Sequence, residues 1–339
     1  MTRTTGKTKV LYIGGYSRSG STLLLRLLGE QPGFAAVGEL FDVWERSYIQ
    51  NQLCGCGLGF RECDFWTQVT AEAFGCKPDE VPAGQLNQTR SRIQGHSRIP
   101  ALWLPRFRSP RYRRELSDYA ALLEQMYASV RNVTDSEVVV DSSKVPQYAW
   151  VLAEAEGIEL HMVHLVRDSR ATAFSWQRQR VRPEITTSRT YMDRHSVVRS
   201  ASEWNAFNYL LRSRRNAYAS YTLIKYEDLV ADPSGELQRV IDALGGGIVS
   251  VSQGNDEQVS LKPSHTAAGN PGRFETGEVR ISLDSEWAQA MPGASRLIVT
   301  ALTAPSLARY HYPLLLRRAA RTGTLAESRQ APLSMKQPR

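Results

Sequence analysis

Cysteine is scarce in this 339-residue chain: Cys54, Cys56, Cys63 and Cys76 are its four, and all lie in one short stretch. They form a local feature and not a disulfide framework across the fold. Long apolar runs are missing too. A membrane helix needs about 18–20 uninterrupted apolar residues, whereas stretches such as residues 23–28 are short and broken by Arg26. The opening MTRTTGKTKV lacks the apolar centre of a secretion signal, so the expected location is the cytoplasm. Aromatics make up only 9% of residues, and no Lys/Arg run is interleaved with them, which argues against a nucleic-acid partner. No internal repeat is present.

What remains is an ordinary globular composition, 42% hydrophobic, of a size for one large core with insertions. The 42 Lys and Arg outnumber the 34 Asp and Glu, and the net charge of +8 suits an anionic ligand. Short β-type runs at 9–13, 34–37, 137–140, 159–166 and 221–225 alternate with helical patterns at 21–29, 145–156, 169–180, 198–218, 235–244 and 294–310. That alternation predicts an α/β fold, a phosphate-loop-type parallel central sheet with helices on both faces. A single domain is expected over 9–317, with flexible tails at 1–8 and 318–339. An insertion at about 44–114 carries the cysteines and the basic stretch PRFRSPRYRR, and its length suggests a lid or a substrate wall.

The most informative segment is KVLYIGGYSRSGSTLLLRLLG, a strand that runs through residues 15–22 straight into a helix. Gly15 and Gly20 permit a tight turn whose N–H groups face one centre, and the helix adds its positive end, so the loop can cradle an anion. A nucleotidase loop has Lys before its final Ser or Thr; Ser21 stands there instead, and Arg18 offers a cationic fork. A Gly/Ser turn that merely joins strand to helix is the plainer alternative. Asp141, after a Val run, invites the opposite reading as the metal-binding acid of a nucleotidase.

The loop SRSGST resembles the 5′-phosphosulfate motif of sulfotransferases that use 3′-phosphoadenosine 5′-phosphosulfate (PAPS). The resemblance implies that Arg18, Ser19, Gly20, Ser21 and Thr22 hold the phosphosulfate. HLVRDSRATAFSW resembles the family's 3′-phosphate motif, with Arg167 at a strand end and Ser175 in the next helix; a buried ion pair and a packed helical serine are the alternatives. In IKYEDLVADP, Tyr226 looks like the tyrosine near the adenine, or is a core aromatic. HTAAGNPGRF resembles a late loop closing over the nucleotide, which places Gly269, Asn270 and Arg273 on the 3′-phosphate side.

The likeness extends to the chemistry. Glu39 in AAVGELF corresponds to the catalytic glutamate of carbohydrate- and tyrosine-directed members and is the expected general base, a cap or surface charge being the alternative. Where small-molecule members carry a catalytic histidine, this chain reads VVVDSSKVP; Lys144 is the expected cation, and Ser142 and Ser143 can touch donor or acceptor. Arg18 completes the catalytic set. No metal is expected in the reaction, since a sulfuryl group bears less charge than a γ-phosphoryl group. Sugar, lipid, phenol and secondary-metabolite hydroxyls are all open as acceptors. A phosphotransferase with a degenerate loop and a non-catalytic nucleotide-binding protein are the rival functions. The cysteine run CGCGLGFRECDFW allows zinc or disulfides, although C-x-C departs from the usual zinc spacing. Similar Cys-Gly-Cys-Gly and Cys-x-Phe-Trp segments in bacterial sulfotransferase-like proteins favour a structural role beside the acceptor.

Overall fold

The computed structural model describes residues 6–185, 190–247 and 258–315. Five parallel strands, β1 (Thr8–Gly14), β2 (Phe34–Gly38), β3 (Val138–Lys144), β4 (Ile158–Val166) and β5 (Ser220–Lys225), form a sheet in the order β2-β3-β1-β4-β5. The antiparallel pair β6 (Gln258–Leu261) and β7 (Gly277–Arg280) stands apart from it. Thr8, assigned from sequence to a flexible leader, is instead the first residue of β1, its N–H bonded to the Gly157 carbonyl at 2.7 Å. The expected tail at 318–339 lies outside the described residues.

The described helices are α1 (Ser21–Gly29), α2 (Asp64–Phe74), α3 (Ala83–Gln94), α4 (Ile99–Trp103), α5 (Pro110–Thr134), α6 (Pro146–Leu152), α7 (Ser169–Gln177), α8 (Val197–Ser213), α9 (Tyr226–Ala231), α10 (Pro233–Asp242), α11 (Trp287–Ala290) and α12 (Gly293–Arg309). Strand alternation divides them between the two faces of the sheet. Val10, Tyr12, Val139, Leu160 and Met162 face α5, α6 and the end of α8, while Leu11, Ile13, Val138, Val140, Val163 and Leu165 face α1, α9, α10 and β6.

Residues 44–114 join the first of these cores. Trp44, Phe60 and Trp66 are fully buried and share one cluster with Val10 and Tyr12 of β1. Most of that packing is against α5, whose Tyr112, Leu116, Tyr119, Ala120, Leu123, Met126, Tyr127 and Val130 recur at three- and four-residue spacing on its buried side. Pro110 sits in its first turn and the Ser109 hydroxyl accepts from the Tyr112 N–H, so the helix starts inside the basic stretch that reads from sequence as loop.

Candidate active site

In a parallel sheet every strand delivers its following residue to the same edge. Here that edge receives the loop at 15–20 after β1, Glu39 after β2, Lys144 as the last residue of β3, Arg167 after β4 and Tyr226 after β5. Residues scattered over more than two hundred positions thus gather at the carboxyl ends of the strands, which is where the fold places ligands.

The β1–α1 loop is tightly determined. Gly15 has φ +150° and a Cβ there would lie 2.3 Å from the Leu165 carbonyl oxygen; Gly20 has φ +93° and a Cβ would meet the Tyr226 ring at 2.3 Å. Close packing, as much as the turn, excludes larger residues. Arg18 also lies in the left-handed region, at φ 73°, an uncommon conformation for a side-chain-bearing residue that marks a functional turn. Its guanidinium stands 5.0 Å over the Trp176 ring and its Nη2 faces the Met192 Sδ at 3.1 Å. No carboxylate reaches it among the described residues, and Nη1 is buried without a partner, as is the Ser19 hydroxyl. Burial, reinforced by the Arg180 charge, brings the Arg18 pKa down to about 10.

Arg167 is the neighbour of this loop: its Nη1 donates to the Arg18 carbonyl at 3.3 Å, its guanidinium lies 4.4 Å over the Tyr226 ring, and its Nη2 donates to the Asp284 carbonyl at 3.1 Å and pairs with the Asp284 carboxylate at 3.3 Å. The turn that aims it is held by Asp168 and Arg170, an ion pair almost wholly buried at 2.6 Å, and by Trp204, whose Nε1 donates to the Arg167 carbonyl. Asp168 also caps α7, on which buried Ser175 lies. Burial raises the Tyr226 hydroxyl pKa.

Glu39 and Lys144 form the third group. Lys144 Nζ donates to Glu39 Oε1 at 2.5 Å and to the Ser142 carbonyl at 2.8 Å. Lys144 has φ 68°, so the end of β3 is turned sharply to make this pair. The serines are engaged inside the protein: Ser142 Oγ donates to the Gly38 carbonyl at 3.2 Å, and Ser143 Oγ accepts from the Phe41 N–H at 2.9 Å.

Asp141 points away from the loop. Its Oδ2 accepts from the Tyr127 hydroxyl at 2.6 Å and its Oδ1 from the Ser143 N–H at 2.6 Å, with the residue fully buried. Both oxygens are thus occupied within the core, an arrangement unlike a nucleotidase metal ligand. Desolvation raises its pKa from 3.8 to about 6. A carboxyl raised on folding supports stability fully below its unfolded pKa and loses that support as pH rises through the folded value. Asp141→Asn stays neutral, so it should gain on the native chain by about 2 kcal/mol between pH 4 and pH 7. Denaturant unfolding of both proteins across that range measures the gap, and a gap that does not change with pH refutes the assignment.

The late loop reaches the same edge from the other side. The Ala267 N–H bonds the Val37 carbonyl at 2.8 Å, and a Cβ on Gly269 would come 3.2 Å from Glu39 Oε1. Asn270 caps the turn that follows, its Oδ1 accepting from the Gly272 N–H at 3.2 Å. Arg26 of α1 clamps the loop by donating to the carbonyls of Lys262, Arg273 and Glu275. Arg273 is 1% exposed; its Nη2 donates to the Leu53 carbonyl at 2.8 Å while Nε and Nη1 find no partner among the described residues. Burial lowers its pKa to about 10, with Glu184 and Glu39 the nearest opposing charges. Gly269 thus approaches Glu39, and the Glu39 charge also acts on Arg273.

Three features escape the sequence reading. A cavity of about 590 Å³ beside the loop is lined by Arg178, Arg180, Asn270, Gly272 and Glu275 among others, so two further arginines join the basic edge. Glu184 is 3% exposed, holds Arg182 at 2.8 Å through Oε1 and leaves Oε2 buried without a partner among the described residues. Cys54, Cys56 and Cys63 come together with His265, and Cys76 is not among them. Arg180 belongs to no local motif, and His265, which opens the late-loop segment HTAAGNPGRF, carries no sequence signal of a link to the cysteines, so only the fold could reveal these placements.

Residues 119–247 match the model of the sulfotransferase family. The match takes in Lys144, Arg167, Ser175 and Tyr226, and the loop at 15–22 lies before it. A search of curated proteins gives no match. Among solved structures, the sulfotransferase domain from the Synechococcus PCC 7002 olefin synthase is similar at 18% identity over 91% of this chain and 96% of that one, with a TM-score of 0.48. The sulfotransferase domain from the curacin biosynthetic pathway is 15% identical over 93% and 100%, with a TM-score of 0.47. A sulfotransferase from Mycobacterium tuberculosis H37Rv is 16% identical over 71% and 68%, with a TM-score of 0.37. All three scores fall below 0.5, too low to carry an argument about function. The segment HLVRDSRATAFSW, residues 164–176, falls within the matched range.

Proposed function

We propose that this protein transfers a sulfuryl group from PAPS to an acceptor hydroxyl by in-line displacement. The supporting observation is a set of buried donors that find no acceptor among the described residues at one edge of the sheet: Arg18 Nη1, Ser19 Oγ, and Arg273 Nε and Nη1. Each buried orphan costs about 1–3 kcal/mol, and a polyanionic ligand supplies the acceptors that the chain lacks. In this reading the loop at 15–22 holds the 5′-phosphosulfate, Arg167 and Ser175 hold the 3′-phosphate, and Tyr226, packed on Gly20 and Arg167, borders the nucleoside. Glu39 takes the acceptor proton, and Lys144, already bonded to it, provides the cation for charge developing on the transferred group. Arg273 belongs on the Glu39 side and serves the sulfuryl end. The packed insertion at 44–114 acts as a wall of the acceptor site. The acceptor is a hydroxyl of a sugar, lipid, phenol or secondary metabolite, and no spanning helix is found among the described residues to hold the protein in a bilayer.

Thermal shift tests the donor assignment. Adenosine 3′,5′-bisphosphate at one hundred times its Kd should stabilise the protein by about 2.7 kcal/mol, a rise of about 4 °C for a chain of this size, with no metal added. Stabilisation by ATP with Mg²⁺ alone, or by neither ligand, would remove the proposal.

A further inference from the structure

The search for chemistry outside the strand-end site leads to one cluster. Cys54, Cys56, Cys63 and His265 each offer a ligand atom, and all four atoms lie within 4.8 Å of one another. Cys63 and His265 are 202 positions apart, yet Cys63 Sγ stands 3.3 Å from His265 Nδ1 and 3.7 Å from Cys56 Sγ. With Zn–S near 2.3 Å and Zn–N near 2.0–2.1 Å, the edges of a tetrahedral site are about 3.8 Å between sulfurs and about 3.6 Å from sulfur to nitrogen. The side chains therefore already stand close to the spacing that such an ion imposes.

Backbone amides face all three sulfurs. The N–H groups of Cys56, Leu58 and Trp66 are directed at the sulfurs of Cys54, Cys56 and Cys63 respectively. Cys63 is also the N-cap of the eleven-residue helix α2, where the helix dipole favours negative charge. Cys54 bonds its own turn twice, its N–H to the Leu58 carbonyl at 2.7 Å and its carbonyl from the Gly57 N–H at 2.8 Å. His265 is oriented by its neighbours: Trp66 Nε1 donates to its carbonyl at 2.8 Å, and its ring stacks on Phe65 at 5.0 Å.

We infer that Cys54, Cys56, Cys63 and His265 bind one Zn²⁺ in a closed, structural site. A disulfide would join two of the sulfurs and leave the third and the imidazole without a role; a divalent ion uses all four. Three thiolates and a neutral imidazole suit zinc over harder cations. Binding releases three thiol protons and leaves a site charge of −1, which the amides facing the sulfurs offset. All four positions come from protein, so no place is left for a reacting water and the ion takes no part in group transfer.

The site ties two distant loops at a useful point. Leu53, next to Cys54, provides the carbonyl that holds Arg273, and Gly55 donates to the Thr266 carbonyl at 2.9 Å, beside His265. Zinc would thus lock the insertion onto the late loop that brings Gly269 against Glu39.

Metal analysis of the purified full chain tests this directly and does not depend on any transferase activity. One zinc per chain is expected, retained in Cys76→Ser and lost in Cys63→Ser and in Cys54→Ser. Cobalt added to the metal-free protein should give the bands of a tetrahedral thiolate site. If the serine variants do not fold, His265→Cys keeps the question open to test: it should bind cobalt with charge-transfer intensity raised by about a third, for four thiolates instead of three. Four titratable thiols with no zinc, a disulfide within the cluster, or cobalt bands unchanged in His265→Cys would each overturn the site.

Discussion

Arg18→Met should lower turnover by about 100- to 1,000-fold while leaving the ligand-free protein as stable as the native one or more so. The two halves share a cause. With no ligand present Arg18 is a desolvated cation whose Nη1 has no acceptor among the described residues, and the Arg180 charge opposes it more than the Glu39 charge favours it. Methionine keeps the apolar stem against Trp176 and removes both the orphan donor and the repulsion. The expected gain is up to about 2 kcal/mol, the cost of one such buried group. Under saturating adenosine 3′,5′-bisphosphate the order should reverse, because the native protein alone gains the charge-assisted bond. Paired unfolding curves with and without nucleotide measure this crossing. An Arg18→Met protein that is destabilised without ligand and binds nucleotide normally would mean that the arginine is a packing residue.

That opposition explains why the site could be read from sequence in outline. A loop that costs stability must be specified strongly by local residues, and Gly15, Arg18 and Gly20 are consecutive enough to be seen together. The strands were legible for a related reason: buried on both faces, β1, β3 and β4 appear as short runs rich in Val, Ile and Leu, and α1 begins where Gly20 ends the turn. Where the reading fell short, the information is non-local or disguised. α5 carries a clear helical stripe from Tyr112 to Val130, yet its start is hidden in PRFRSPRYRR, where Pro110 looks like a break and is in fact a first-turn residue. The strands β6 and β7 are four residues each, too short for periodicity to register. His265 completes the cysteine cluster from the far end of the chain, and no spacing rule applied to CGCGLGFRECDFW can supply it. The position of Arg273 beside Glu39 has the same origin, since Arg26 and Leu53 hold it there through backbone carbonyls that any sequence possesses.

Glu39→Gln carries the second large effect: kcat should fall by about 100- to 10,000-fold, with nucleotide affinity unchanged. The substitution is conservative in the respect that matters for folding. Glutamine keeps an Oε1 acceptor for Lys144 Nζ, and Lys144 retains its second acceptor, the Ser142 carbonyl. Gly269, whose approach to Glu39 leaves no room for a larger side chain, meets a group of the same shape. What the amide lacks is a lone pair able to take the acceptor proton, so the loss should fall on turnover, and the acid limb of the pH–rate profile should vanish with it. Lys144→Met supplies the contrast. It leaves the carboxylate in place but unpaired at a largely buried position, and should lower both kcat and stability, the latter by about 3 kcal/mol, since one partner of a buried pair is stranded. The two variants together separate proton transfer from placement of charge. Turnover and pH profile in Glu39→Gln matching the native protein would exclude Glu39 as the base and direct attention to Glu184, a buried carboxylate whose charge also acts on Arg273 and whose Oε2 has no partner among the described residues.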